Sequence, residues 1–428
     1  MRFPIERYEL DNGLRIVLSE DRSQPVVAVN LWYDVGSRNE RVGRTGFAHL
    51  FEHMMFQGSE NVPDTQHIAH VERVGGSMNG STWLDRTNYF ETVPSNRLEL
   101  ALWLESDRMG FLLPAMTQEK LDNQRDVVKN ERRWRVDNQP YGDWDERIQA
   151  MVYPPDHPYH HSVIGSMEDL DAATLDDVKE FFRTYYAPNN AVLTICGDFD
   201  RANALALIER YFGGIPRGPE PPALPGRPQI QSKLDRPVEA TVEADVGLAR
   251  IYLAFRTPPY GDDRFYAADV AAHVLTSGKS SRLYDALVRE QRLAQSVVGF
   301  AFPIVTGASM VVLWATANPG IPLERLESAV WKELDLVRSG NCTVDEVDRV
   351  LTGVEARQVI GLQKVSERAD QLSMLTTLFD DPELINTELD RYRAVGVKEV
   401  TRFAEEYLTP ENVAVLRYLP RAASEEAA

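Results

Sequence analysis

The stretch DDVKEFFRTYYAPNNAVLTI, residues 176–195, returns in altered form as KEVTRFAEEYLTPENVAVLRYL, residues 398–419. Both stretches are typical of an amphipathic helix, a turn containing Pro and Asn, and a strand. Identical residues recur at one spacing (400 − 178 = 222), namely Val178 and Val400, Phe181 and Phe403, Tyr185 and Tyr407, Pro188 and Pro410, and Asn190 and Asn412. A match held in one register indicates that the chain is an internal duplication.

The segment between the two copies interrupts regular structure. Its sequence, GGIPRGPEPPALPGRP at residues 213–228, is too rich in Pro and Gly for a regular helix or a central strand. We therefore predict a first domain at 1–212, a linker at 213–235 and a homologous second domain at 236–428.

Strand-like runs alternate with helical stretches in each half, which predicts the α+β class, with a largely antiparallel sheet packed with helices in each domain. In the first half we predict strands at 14–18, 26–33 and 82–93. We predict helices at 46–56, 65–74, 95–110 and 117–135.

Charge and composition exclude several classes of partner. The 428 residues carry a formal net charge of −19, which disfavours binding to nucleic acid and to anionic membrane surfaces. No apolar run is long enough to span a bilayer. The N-terminal sequence MRFPIERYELDNG lacks the apolar core of a secretory signal, so we expect a cytoplasmic location, or a periplasmic one if a leader has been removed. Cys196 and Cys342 are expected to be buried, reduced thiols.

The sequence GFAHLFEHMMFQG, residues 46–58, places His49, Glu52 and His53 on one predicted helix. Residues three and four positions apart share a helix face, so both imidazoles and the carboxylate point the same way. Two neutral imidazoles bind Zn²⁺ at about 2.0–2.1 Å, which leaves the carboxylate to take a proton from water. This order, H-x-x-E-H, is the inverzincin signature. The alternative interpretation is a set of solvated polar residues on an amphipathic helix.

A tetrahedral zinc site requires a further ligand, and the helix predicted at 117–135 offers several carboxylates. Glu131 is one candidate, with Glu119, Asp122 and Asp126 as competitors. Spacing alone does not choose between them, because the chain is rich in acidic residues and most of these are solvated.

The chain resembles the pitrilysin–insulysin family of zinc metallopeptidases, and especially its half-length branch of bacterial and mitochondrial processing peptidases. The resemblance covers nearly the whole chain and is carried by ELDNGLRIVL, GFAHLFEHMMFQGSENV, GGSMNGSTWLDRTNYFETVPSNRLELALWLESDRM and QRDVVKNERR. It implies that His49, His53 and Glu131 hold Zn²⁺ and that Glu52 is the general base. It also implies that Asn79 contacts an extended peptide substrate paired with a strand edge.

Two features depart from the family pattern. Many relatives carry a second Glu seven residues before the third ligand, where this chain has Gln124, whose amide can support the ligands by hydrogen bonding but carries no charge. Active relatives also place an Arg and a Tyr seven residues apart in a segment that here reads LVREQRLAQSVV, residues 287–298. Val288 and Gln295 occupy those two positions, and Arg289 lies one position out of register.

We therefore expect a zinc-dependent endopeptidase subunit that hydrolyses peptides or unfolded segments inside a clamshell chamber. A homologous partner subunit would supply the missing Arg/Tyr pair in a heterodimer, and a homodimer is the alternative assembly. The competing function is a non-catalytic structural subunit resembling respiratory-complex core proteins. Among the remaining histidines, we expect His67 and His70 to be solvated and His273 to be a core residue. The cluster His157, His160 and His161 in the loop YPPDHPYHHS could indicate a second metal site, but such loop clusters are more often incidental and we assign it no role.

Overall fold

The computed structural model describes residues 2–421, in which two β-sheets are packed with helices. The strands are β1 (Glu6–Glu9), β2 (Arg15–Glu20), β3 (Val26–Tyr33), β4 (Ser77–Thr82), β5 (Thr87–Pro94), β6 (Ala191–Gly197), β7 (Val238–Ala244), β8 (Arg250–Thr257), β9 (Ala294–Ala301), β10 (Ser309–Ala317) and β11 (Val413–Pro420).

The α-helices are α1 (Phe47–Met54), α2 (Gln66–Arg73), α3 (Leu98–Phe111), α4 (Gln118–Arg132), α5 (Trp144–Val152), α6 (Met167–Ala172), α7 (Leu175–Tyr185), α8 (Arg201–Phe212), α9 (Asp263–Thr276), α10 (Leu323–Arg338), α11 (Val344–Leu362), α12 (Val365–Phe379), α13 (Glu388–Arg393) and α14 (Val397–Tyr407). Two π-helical turns lie at Arg133–Asp137 and Tyr284–Glu290. Within residues 2–421, no helix has both the length and the apolar character that a membrane span requires.

The two sheets repeat one strand order. The first runs β1-β2-β6-β3-β5-β4, and the second runs β7-β11-β8-β10-β9, which is the same order once β1 is set aside. Each sheet contains one parallel pair, β2 with β6 and β7 with β11, and its remaining pairs are antiparallel. The predicted α+β class with two largely antiparallel sheets is therefore confirmed.

The duplication extends to individual hydrogen bonds. The Asn190 side-chain amide donates to the carbonyl oxygens of Tyr185 at 2.9 Å and Asp34 at 3.3 Å. The Asn412 amide donates to the carbonyl oxygens of Tyr407 and Arg256, both at 2.8 Å. In each copy an Asn therefore connects the last residue of a helix to the sheet, at the residue after β3 in the first copy and at β8 in the second, which accounts for its recurrence.

The compact units do not follow the sequence halves throughout. The first unit comprises the described residues up to Arg132, then His161–Pro225 and Arg357–Thr387. The second comprises Arg133–His160, Gly226–Ala356 and the described residues from Glu388 onward. Packing explains the difference from the predicted domain bounds, because α12 buries Leu372 and Leu375 against the first sheet, whereas α5 stacks Trp144 on Tyr252 of the second sheet.

The predicted elements of the first half agree with the structure apart from one strand. The run predicted at 82–93 divides, because Thr82 ends β4 and the chain turns through Trp83–Arg86 before β5 begins at Thr87. Arg86 stabilises this turn by donating to the Ser81 carbonyl oxygen at 2.8 Å. Such a contact cannot be predicted from the alternation of polar and apolar residues along the sequence.

Burial of one face of each helix positions the candidate site. In α1 the side chains of Leu50, Phe51 and Met54 are at most 1% exposed and lie in the core of the first unit. Leu121 and Val128 of α4 are fully buried in the same core. Phe47 and Ala48 of α1 are buried as well, so the three ligand-type side chains of the H-x-x-E-H motif form the half-buried face of the helix.

Candidate metal centre

Helices α1 and α4 bring three ligand-type side chains together. The Nε2 atom of His49 lies 3.7 Å from Glu131 Oε2, and that of His53 lies 3.4 Å from the same oxygen. The two imidazole rings are 4.8 Å apart and nearly perpendicular. Glu131 was the carboxylate that the family resemblance selected, and the structure places it against both histidines.

These distances fit a tetrahedral ion. Ligand atoms about 2.0–2.2 Å from a tetrahedral zinc lie about 3.3–3.6 Å from one another. The separations of 3.4 and 3.7 Å between the imidazole nitrogens and the carboxylate oxygen are close to that range. Two imidazoles and one carboxylate also form a donor set that zinc accepts, with room for a fourth ligand. The residues present therefore fit a zinc ion.

The competing carboxylates of α4 point elsewhere. Glu119, Asp122 and Asp126 are exposed, and Asp122 forms an ion pair with Arg125 at 2.9 Å. Helix geometry explains this result, because Glu131 shares the inward face of α4 with Val128 and Gln124.

Glu52 lies on α1 between the two histidines, and its environment suits a proton acceptor. The Thr82 hydroxyl donates a hydrogen bond of 2.5 Å to Glu52 Oε2. Burial raises the pKa of Glu52, and the Thr82 hydrogen bond and the positive charge of Arg86 oppose that shift. A carboxylate with a raised pKa takes up a proton more readily than a solvated one does, as general-base catalysis requires.

Thr82 and Arg86 are the functional neighbours that the sequence did not reveal. They lie on either side of the turn between β4 and β5, about thirty residues after the motif that they support. Arg86 is held by the Ser81 carbonyl and lies 5.2 Å from the Trp32 ring. Their only sequence signal is their proximity to the GGSMNG stretch, which itself predicts a turn and a strand.

The remaining predicted residues occupy places compatible with their proposed roles. Asn79 is exposed on β4, which pairs only with β5 and so forms an edge of the first sheet among the described residues. Gln124 is 8% exposed on the inward face of α4, two turns before Glu131. Contact of Asn79 with substrate and support of the ligands by Gln124 stay predictions.

The positions that lack the Arg/Tyr pair lie in the second unit. Val288 is half-buried in the π-helical turn, and Gln295 is exposed on β9, an edge strand of the second sheet within the described residues. Arg289 is exposed and forms an ion pair with Asp285 at 2.5 Å. Arg289 therefore has a local structural role of its own in this turn.

A second group with metal-ligand side chains lies in the core, and it corrects the expectation that His67 is solvated. His67 is 2% exposed, and its Nε2 lies 3.2 Å from Glu91 and 3.9 Å from Glu105. Arg108 forms an ion pair with Glu105, and its guanidinium lies 4.2 Å from the Tyr89 ring. Burial and the charge of Glu105 raise the pKa of Glu91 well above its usual range. Because the Arg108 guanidinium lies beside these carboxylates as a counter-ion, we interpret the group as a buried ion network.

Replacing Glu131 by Gln should reduce zinc from one ion per chain to a substoichiometric amount, because an uncharged amide is a much poorer zinc ligand than a carboxylate. Metal content of the purified variant, measured by plasma mass spectrometry, checks this outcome. Asp126→Asn is the matched control, since Asp126 is an exposed acid of the same helix. Full zinc content in the Glu131→Gln protein would remove Glu131 from the ligand set.

Comparison with known proteins identifies the family of the chain. Residues 15–153 match the family model described as insulinase (peptidase family M16), and residues 172–354 match the model described as the peptidase M16 inactive domain. The chain is 30% identical over 406 residues to a zinc protease, PqqE, of Helicobacter pylori. That alignment covers 94% of this chain and 90% of the relative.

Solved structures share the whole architecture. A crystal structure of a protease from Helicobacter pylori superposes with a TM-score of 0.91 at 29% identity, covering 98% of this chain and 100% of that one. A peptidase M16 inactive domain from Pseudomonas fluorescens superposes with a TM-score of 0.84 at 19% identity, covering 98% and 99%, which shows the fold alone. The chain therefore belongs to peptidase family M16, the insulinase family, as its sequence resemblance predicted.

Proposed function

We propose that the protein is the zinc-bearing subunit of an endopeptidase that hydrolyses peptides or unfolded segments. The observation that carries this proposal is the convergence of His49, His53 and Glu131 beside Glu52 on the half-buried face of α1. If the motif residues were only solvated polar side chains, a carboxylate oxygen of a second helix would not be expected 3.4 Å from the Nε2 atom of His53.

Different residues of the chain would have different roles in the proposed hydrolysis. His49, His53 and Glu131 would hold zinc, which when bound supplies Lewis acidity that lowers the pKa of water and polarises a carbonyl. Glu52 would accept the proton of the attacking water and later deliver it to the leaving amine. The hydrogen bond from Thr82 fixes the orientation of the Glu52 carboxylate during both transfers.

An extended peptide would bind by adding a strand to β4. The outer edge of β4 has no neighbouring strand within residues 2–421, and Asn79 is exposed there. Thr82, at the end of the same strand, reaches Glu52, so a peptide paired with β4 would pass the proton acceptor. Backbone pairing accepts many sequences, which suits an enzyme that acts on unfolded segments.

The missing Arg/Tyr pair supports completion of the site by a homologous subunit. Neither Val288 nor Gln295 can supply the positive charge or the phenol that stabilises an oxyanion. A homologous chain carrying both residues would supply them in a heterodimer that encloses the substrate in a clamshell chamber.

A second candidate function is a non-catalytic structural subunit. Two observations favour it, the absence of the Arg/Tyr pair and the match of residues 172–354 to a family model described as inactive. The preserved ligand geometry of His49, His53 and Glu131 favours the peptidase instead, because a scaffold does not need it.

Metal removal distinguishes the two candidates. Native mass spectrometry should record one zinc per chain, and a chelator should remove the ion together with hydrolysis of an unfolded polypeptide by the chain or by its complex with a homologous partner. Restoring zinc should restore both signals. A chain that stays metal-free when zinc is offered would favour the structural subunit.

A further inference from the structure

The helix that carries the zinc-binding motif begins without a cap of its own. Gly46 precedes α1 with a φ of 84° and has no side chain to accept from the amides of the first turn. Glu40 takes this role from six residues earlier. Its two carboxylate oxygens accept from the Gly46 amide at 2.9 Å and from the Ala48 amide at 2.7 Å.

The capping carboxylate is buried beside a histidine. The Glu40 side chain is 0% exposed, and the Nε2 atom of His161 lies 2.9 Å from its Oε2. The same nitrogen lies 3.0 Å from the Ser37 carbonyl oxygen. A carboxylate buried this deeply is costly unless a positive charge compensates it, which is what a protonated His161 provides.

The segment that begins with His161 reaches both ligand helices. We define the clamp segment as residues 161–169. Beyond the contact with Glu40, Asp169 accepts from the Thr45 hydroxyl at 2.6 Å, one residue before Gly46. On the other side, Arg132 donates to the Gly165 carbonyl oxygen at 2.7 Å. Arg132 follows Glu131 directly, so one short segment is bonded beside the histidine helix and beside the carboxylate helix.

Close packing makes this contact stiff. A Cβ atom placed on Gly165 would lie 2.3 Å from the Gly46 nitrogen, so no larger residue fits where the clamp segment meets the start of α1. A displacement of the segment would therefore move α1 as well.

We propose that the clamp segment sets the distance between α1 and α4, with His161 and Glu40 as positioning residues for the zinc ligands. The proposal rests on the proposed zinc peptidase function, yet it concerns metal binding and helix order, both of which are measurable without substrate. It gives a function to one histidine of the loop YPPDHPYHHS, for which the sequence indicated none.

The pair should make zinc affinity fall as the pH rises through the pKa of His161. Burial acts to lower the pKa of His161, but the hydrogen bond and charge of Glu40 outweigh it, so the pKa lies above the ordinary 6.5. Burial also raises the pKa of Glu40, although the bonds from His161 and from the Ala48 and Gly46 amides oppose that shift. The stabilisation of protonated His161 is present at lower pH and is lost as the pH rises through its raised pKa, so the Glu40 carboxyl group then lies buried beside a neutral imidazole. The other groups that act on the pair are Asp169, which favours protonated His161, and Tyr185 beside Glu40.

Three variants test the proposal. His161→Gln removes the charge, His161→Lys keeps a permanent one, and His70→Gln is the matched control for loss of a histidine elsewhere in the first unit. Zinc affinity is measured by competition with a chromophoric chelator from neutral to alkaline pH. Hydrogen exchange of the metal-free chain, followed by mass spectrometry on a peptide covering the start of α1, reports the capped amides directly.

We expect His161→Gln to weaken zinc binding by about 10–100-fold and to speed exchange at the start of α1. His161→Lys should keep the affinity that the wild type has while His161 is protonated and abolish the alkaline decline, which is the fall in affinity above the pKa of His161. Deprotonation of the ligands alone makes affinity rise with pH, so the decline has the opposite sign.

The proposal is overturned if His161→Gln matches the wild type in both affinity and exchange, or if His161→Lys retains the alkaline decline. Should His161→Gln fail to fold, the comparison of His161→Lys with the wild type still decides. A chain that binds zinc with these pH effects but cleaves nothing would refute the peptidase function and leave the clamp standing.

Discussion

Glu52→Gln should retain zinc and lose peptide hydrolysis, with kcat/KM falling by about 10²–10⁴-fold in the reconstituted enzyme. Gln is nearly the same size and can still accept the hydrogen bond that Thr82 donates to Glu52, so the local structure should persist. An amide cannot accept the proton of the attacking water, however, and this is the step that we propose for the carboxylate. Hydrolysis of a quenched fluorescent peptide, measured alongside zinc content, checks both parts of the expectation.

The control for this variant is Glu119→Gln, because Glu119 is an exposed carboxylate on α4 and belongs to no ligand set. It should hydrolyse peptides at the wild-type rate. If the Glu52→Gln protein holds zinc and cleaves as fast as the wild type, the observed cleavage comes from another site or from a contaminant, and the proposed role of Glu52 is wrong.

Local patterns were sufficient for the parts of the site that lie within one helix. The spacing of His49, Glu52 and His53 places them on one face, and the structure shows that the opposite face of α1 is the buried one. The duplication could also be recognised from the sequence. Asn190 and Asn412 recur at equivalent positions because each makes the same pair of backbone hydrogen bonds.

The parts that the sequence did not reveal depend on contacts between distant segments. Nothing local distinguishes Glu131 from Asp126, since the direction in which each side chain points follows from how α4 packs on α1. Glu40 and His161 are 121 residues apart, and neither belongs to a motif, so only the folded chain shows that they meet. Likewise, α5 of the first sequence half belongs to the second unit and α12 of the second half belongs to the first unit, and only the packing of the folded chain shows this.

The isolated chain should be nearly inactive, and a homologous subunit that carries the Arg/Tyr pair should raise its kcat/KM by about 10²–10³-fold. The physical reason is that Val288 and Gln295 offer no cation and no phenol to the oxyanion of the tetrahedral intermediate. Zinc and Glu52 would activate water in the isolated chain, but the developing negative charge would lack its second source of stabilisation. Titration of the partner into the chain, with peptide hydrolysis followed at each step, measures the gain.

The same titration with the Glu52→Gln chain is the control, because a partner without a metal motif should then add nothing. Activation that saturates at one partner per chain would identify a heterodimer, since the enzyme then needs the ligands of one subunit and the oxyanion donors of the other. Full activity from a rigorously pure chain would contradict the prediction. If that pure chain also sediments as a dimer of itself, the two copies must stabilise the oxyanion without Arg or Tyr at positions 288 and 295, and other donors would have to be sought in the chain itself.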